Sequence, residues 1–240
     1  RHMMLGLSMP IRFNESLMVF VPKGDDPNDA LAVVREVSDT RPLSLKNSDN
    51  KIVCSVLNHK LRDVLAREAC SLQRGFVPGR QLVSNVVDLD AYGRIHGMES
   101  DHTDPSVITL WDFAAAFPSV AHEWVQPVLD AYAFPKGAVP FISMLYFLNS
   151  AFVLAGGSLS MLFFVTAGVL QGCPLSGFLY ALGSNPCLIW VRDVIALPAL
   201  SKVRVCTDDI GISLIALTTP PPPPSRRVLQ VRCRAESVSE

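Results

Sequence analysis

Apolar and polar positions change rhythm along this chain, and the changes mark its elements. Residues 17–22 (LMVFVP) form a continuous apolar run that predicts a short buried strand, stopped by Pro22 and the turn-rich KGDDPND after it. Over 51–69 the period lengthens. Val53, Leu57, Leu61 and Val64 with Leu65 make a helical stripe, introduced by the capping residues Ser48, Asp49 and Asn50. A second helix is predicted over 84–95, a strand over 107–111 with Asp112 at its end, and a third helix over 121–133. Residues 150–155 and 161–167 flank Gly156 and Gly157 and read as a hairpin. Residues 174–182 read as a helix with proline in its first turn. A last hairpin is predicted from 203–206 and 210–216, with Asp208 and Asp209 near its tip. At Thr218 all periodicity ends. Pro220 to Pro224 open a tail expected to be a polyproline spacer followed by disorder.

Composition changes this picture in two places. Apolar residues make up 49% of the 240 positions and charged residues 18%, so a membrane span has to be considered. The most apolar region, 138–164, is broken by Pro140, Asn149, Gly156 and Gly157. It holds no run of the roughly 18–20 residues that spanning needs, so it reads as core. The first residues do not form a signal peptide, and a chain opening on Arg1 is expected to belong to a longer product. Six scattered cysteines without a CxxC pair fit reduced intracellular thiols, and no histidine is assigned a catalytic part.

Charge is polarised. Residues 41–80 carry eight Lys and Arg against three Asp and Glu, whereas residues 96–220 carry four against nine. A basic segment followed by an acidic one suggests an anionic partner held by the first and a cation held by the second. Two ordinary solvated faces explain the charge alone equally well.

The chemistry lies in LWDFAAAFPSV, GVLQGCPLSG and VRVCTDDIGISL. An Asp-Asp pair by itself reads as an exposed turn. One carboxylate from a strand end with a pair from a hairpin tip is a donor set suited to two Mg²⁺ ions. Such a pair stabilises the attacking and leaving oxygens of a phosphoryl displacement.

These three segments belong to a series of seven in a fixed order. It runs VFVPKG, TRPLSLKNSDNKIVCSVLNHKL, QRGFVPGRQLVSNVVDLD, LWDFAAAFPSV, FISMLYFLNSAFVLAGG, GVLQGCPLSGFLYAL and CTDDIGISL, over about residues 13–217. The series resembles the reverse transcriptase domain of non-LTR (LINE-type) retrotransposons. The resemblance implies an α+β fold, the fingers and palm of a right-hand polymerase, with an antiparallel palm sheet packed on helices and the thumb absent. Fingers-like residues would be 1–106, palm-like residues 107–219, and 220–240 the Pro-rich tail.

The activity implied is RNA-directed DNA polymerisation by two-metal nucleotidyl transfer to a primer 3′-hydroxyl. Asp112, Asp208 and Asp209 match the catalytic carboxylates, and Asp112, the Phe113 carbonyl and Asp208 match the ligands of two Mg²⁺ ions, with Mn²⁺ as a substitute. Lys23, Arg41, Phe117, Gln171 and Gly172 match nucleotide-binding positions, Phe117 as the gate against a ribose 2′-hydroxyl. Gly75, Phe76 and Arg80 match template-binding positions. The implied partners are an RNA template, a DNA primer and deoxynucleoside triphosphates, with no membrane. Thumb and endonuclease regions are expected only in a full-length element.

The chain departs from the family at Cys206 and Thr207 (usually an aromatic and Ala), at Leu170 (usually basic) and at Pro118 (usually Asp). Two other readings stand beside the enzyme. One is an inactive truncated remnant or non-catalytic nucleic-acid-binding scaffold. The other is an RNA-dependent RNA polymerase, which a bulky Phe117 opposes.

Overall fold

The computed structural model describes residues 9–10, 12–26, 35–99, 106–113, 115–194 and 201–214. The expected tail, the opening residues and the end of the 210–216 strand lie outside them. Among the described residues the chain forms β1 (Ser16–Pro22), β2 (Thr40–Lys46), α1 (Ser48–Glu68), α2 (Val83–Glu99), β3 (Val107–Trp111) and α3 (His122–Ala131). It continues with α4 (Ala138–Tyr146), β4 (Ser150–Ala155), β5 (Ser158–Phe164), α5 (Ser176–Val194), β6 (Ser201–Cys206) and β7 (Asp209–Leu214).

The strands make two sheets, in the orders β2-β1-β4-β5 and β3-β7-β6. In the larger sheet β1 pairs antiparallel with β2 and parallel with β4, so it draws strands from both sides of residue 106. Gly156 and Gly157, at φ 57° and 77°, close the β4–β5 hairpin. Positive φ at both central residues is the turn that matches strand twist. β5 lies at the sheet edge with all seven residues exposed, Met161 to Phe164 among them. The smaller sheet is antiparallel throughout.

Helix α5 is the centre of the molecule. Its residues from Ser176 to Leu182 are all buried, and Phe178, Leu179 and Leu182 meet Leu65 of α1, Leu129 of α3 and Ile142 and Leu145 of α4 in one core. A smaller core of Cys70, Leu72, Leu188, Val191, Val203 and Val205 fastens the smaller sheet to the other end of α5. No helix among the described residues is long and apolar enough to cross a membrane.

Several elements differ from the sequence expectations: β1, expected to be buried, leaves Val19, Phe20 and Val21 exposed, and β5 lies at Ser158–Phe164 rather than 161–167. β2 is absent from those expectations because Pro42 sits in its middle. The structure accommodates it because β2 is an edge strand, where a missing N–H costs no ladder bond. α4 was hidden because AVPFISMLY has no polar face and so no period to read. α5 runs twelve residues beyond its predicted end at Leu182, through Pro186, since burial outweighs local helix-breaking.

Lys46, at the end of β2, is buried. Its ammonium donates to the Asn14 carbonyl (2.9 Å) and to Asn149 Oδ1 (2.7 Å). Burial lowers its pKa to about 8 from the ordinary 10.5. Between those values the unfolded chain binds more protons than the folded one, so this group makes stability rise with pH across that window. Urea midpoints of wild type and Lys46→Met should therefore diverge from pH 8 to pH 10.5, with wild type gaining. Parallel curves would remove Lys46 as the cause.

Candidate active site

The smaller sheet gathers the carboxylates through its register. The last β3–β7 pair is Trp111 with Ile210, so one step further along the ladder Asp112 comes opposite Asp209. Cys206 pairs with Asp209, which leaves Thr207 and Asp208 as a two-residue turn between β6 and β7. All three aspartates thus stand at one end of the sheet. Asp209's carboxyl titrates above the ordinary carboxylate range, first because it is partly desolvated and then because Asp208 and Asp112 repel its charge. None of the ion pairs among the described residues involves any of the three.

An oxygen-only donor set in which two carboxylates raise the pKa of a third, Asp209, fits a divalent cation. The described residues hold no group of three or more His, Cys, Asp or Glu side chains already converged to ligate one.

Beside Asp208 lies a cavity of about 570 Å³. Arg41 from β2, Asn58 from α1, Phe76, Phe117, the turn of Gln171 and Gly172, and Thr207 bound it. The Gln171 turn is fixed to β2, since the Ser44 amide donates to the Gln171 carbonyl (2.8 Å). Gly172 is required there. Its φ is 105°, and a Cβ would sit 2.8 Å from the Ser44 carbonyl oxygen. Phe117 stacks on Tyr180 (4.9 Å, 1°) and takes the edge of Phe76 (5.8 Å). Phe76 is 58% exposed and rests on Gly177, where any Cβ would overlap its ring. Pro118 lies against Gly168, and the Val169 amide donates to the Phe117 carbonyl, so the Phe117 loop and the Gln171 turn are one unit.

The cavity therefore brings together Arg41, Phe76, Phe117, Gln171, Gly172 and Asp208. Lys23, Gly75, Arg80, Asp112, Phe113 and Asp209 are not in its lining. Lys23 follows β1 directly, on the same face of the pair as Arg41 by register, and its ammonium donates to the Ser38 carbonyl. Arg80 donates to the carbonyls of Ala69, Cys70 and Gln73. Gly75 packs against Thr207. Phe113 is half-exposed and lines an adjoining pocket with Tyr180 and Thr207. Sequence reasoning missed Gln73, which touches the carboxylate hairpin, and Tyr180, which backs Phe117. The stacking partner had a signal, an aromatic one helical turn after the GVLQGCPLSG segment. Gln73 had none.

An antiparallel three-stranded sheet with carboxylates at one end, packed on helices, is the palm of a template-directed polymerase. The model of the reverse transcriptase (RNA-dependent DNA polymerase) family matches residues 21–214, and the chain belongs to that family. The Transposon TX1 uncharacterized 149 kDa protein of Xenopus laevis is 31% identical over 77% of this chain. The retrovirus-related Pol polyprotein from the type-2 retrotransposable element R2DM of Drosophila melanogaster is 29% identical over 73%. The chain spans 13% and 15% of those two relatives.

Among solved structures, telomerase from Candida albicans, in complex with a TWJ fragment of telomeric RNA, superposes at a TM-score of 0.55 and 10% identity. That match covers 87% of this chain and 40% of the other. Apo telomerase from Candida tropicalis, truncated from the C-terminal domain, gives 0.54 and 9%, covering 87% and 45%. At such identity the likeness concerns the fold, and the fold is a polymerase fingers and palm.

Proposed function

We propose that this chain carries the fingers (1–106) and palm (107–219) of a non-LTR retroelement reverse transcriptase, which extends a DNA primer by copying an RNA template. The observation that carries this reading is the end of the smaller sheet. Asp208 there opens into the same cavity as Arg41, Phe117 and the Gln171 turn.

Each residue has a physical task. Arg41 supplies a planar fork for triphosphate oxygens and Lys23 a point charge beside it. Gln171 and Gly172 form the wall against which the nucleotide lies, and Gly172 brings backbone close to it. Phe117, immobilised between Phe76 and Tyr180, fills the space a 2′-hydroxyl would take. Phe76, Gly75 and Arg80 form the side from which the template enters, where contacts fall on phosphate and sugar because pairing reads the bases.

Asp112, Asp208 and the Phe113 carbonyl would hold two Mg²⁺ ions, with Mn²⁺ as a substitute, and Asp209 adds charge behind them. When bound, such a pair stabilises the entering and leaving oxygens of an in-line displacement at the α-phosphate.

The test is Mg²⁺-dependent extension of a DNA primer on an RNA template, with Asp208→Ala as control. Extension by wild type alone supports the reading. No extension above the control, from folded protein, would leave a non-catalytic scaffold. Phe117→Val should raise ribonucleotide relative to deoxynucleotide incorporation by about ten-fold or more, measured as the ratio of kcat/KM values. An unchanged ratio would take the gate away from Phe117.

A further inference from the structure

The carboxylate hairpin is held by Gln73, which opens the QRGFVPGR segment but is not among the site residues matched from it. Gln73 is wholly buried, and its carboxamide makes three hydrogen bonds. Oε1 accepts from the Thr207 amide (2.7 Å) and the Gly75 amide (2.8 Å), while Nε2 donates to the Thr207 carbonyl (3.2 Å). Thr207 is the first residue of the two-residue turn, and its φ is 60°, a conformation that β-branched residues strongly avoid. A two-residue hairpin bonds the residues on either side of its turn to each other. The amide and carbonyl of the first turn residue are then left to find partners elsewhere. Gln73 answers both with one planar group.

The segment around Gln73 is itself fastened to β6. The Arg74 amide donates to the Val205 carbonyl (2.9 Å), the Val205 amide donates to the Leu72 carbonyl (3.1 Å), and Arg80 donates to the Gln73 carbonyl (2.7 Å). On its far side Gly75 admits Thr207, since a Cβ there would come within 2.5 Å of the Thr207 nitrogen.

We propose that Gln73 is a positioning residue for the metal site. By fixing Thr207 at positive φ it sets the direction of Asp208, the next residue, towards Asp112. The inference rests on the metal-dependent reaction proposed above. A merely structural glutamine would stabilise the fold without governing metal affinity, and that difference is measurable.

In the 240-residue chain, Gln73→Met keeps length and volume but removes all three bonds. Mn²⁺ binding by calorimetry should weaken about ten-fold or more, in the range typical of lost outer-shell support. Primer extension should lose kcat with the nucleotide KM within two-fold of wild type. Glycine is at home at φ 60°, so Thr207→Gly relieves the need for a clamp. The double variant Thr207→Gly/Gln73→Met should regain part of the lost affinity.

Folded Gln73→Met that binds Mn²⁺ within two-fold of wild type overturns the inference. So does a wild-type chain with no Mn²⁺ binding that Asp208→Asn removes. If Gln73→Met fails to fold, Thr207→Gly is compared with the double variant. The inference then requires a smaller but measurable difference, and equal affinities overturn it. A wild type that binds Mn²⁺ as expected yet extends no primer would sink the polymerase reading and leave this inference standing.

Discussion

Asp112→Asn should abolish primer extension, by about 10³-fold or more, without destabilising the metal-free protein. The two effects have one source. Asp112 faces Asp209 one register step beyond the β3–β7 ladder, and its charge contributes to the raised pKa of Asp209. A carboxyl whose folded pKa is raised favours the fold below its unfolded value, and that favour is lost as pH rises through the folded value. Repulsion among the three carboxylates is therefore felt at neutral pH and absent in acid. In metal-free buffer the thermal midpoint of Asp112→Asn should equal or exceed that of wild type at pH 7, and the gap should close near pH 3. A midpoint well below wild type at pH 7 would show that Asp112 holds the fold together rather than serving chemistry.

Gly172→Ala should damage both stability and nucleotide binding. Adopting φ 105° costs an L-residue about 1–3 kcal/mol, and the added Cβ also meets the Ser44 carbonyl oxygen at 2.8 Å. Either β2 or the Gln171 turn has to give. Since Arg41 rides on β2 and Gln171 on the turn, the cavity loses its shape whichever moves. A displacement near 1 Å is enough for about a 10²-fold loss in kcat/KM. Gly79→Ala is the comparison, because Gly79 also has positive φ, 78°, but open space around it. It should lose stability through conformation alone and keep the nucleotide KM. Equal losses in the two variants would mean that the approach to Ser44 does not matter.

The smaller sheet was legible because its signals are local. Three short β-prone runs with acidic residues at their ends predict strands and place the carboxylates, and β3, β6 and β7 follow. The larger sheet was not. Pro42 hides β2 from any propensity argument, and the pairing of Ser16 with Ala151 joins residues that no local pattern connects. The cavity was legible through the order of the motifs rather than through physics. Nothing in the residues alone says that Arg41 and Asp208 share a wall. Gln73 stayed hidden for the same reason. Read locally it is a polar residue in a turn, and its function comes from a partner 134 positions away.

Strand β5 has a consequence for anyone handling the protein. An exposed edge strand that shows Leu159, Met161, Leu162, Phe163 and Phe164 offers unpaired backbone and oily side chains together. Natural sheets blunt such edges with lysine, proline or a cover, and SLSMLFF has none of these devices in its own sequence. Colloidal loss should therefore precede unfolding when the chain is concentrated. A lysine in place of Leu162 is where a search for a well-behaved sample would begin.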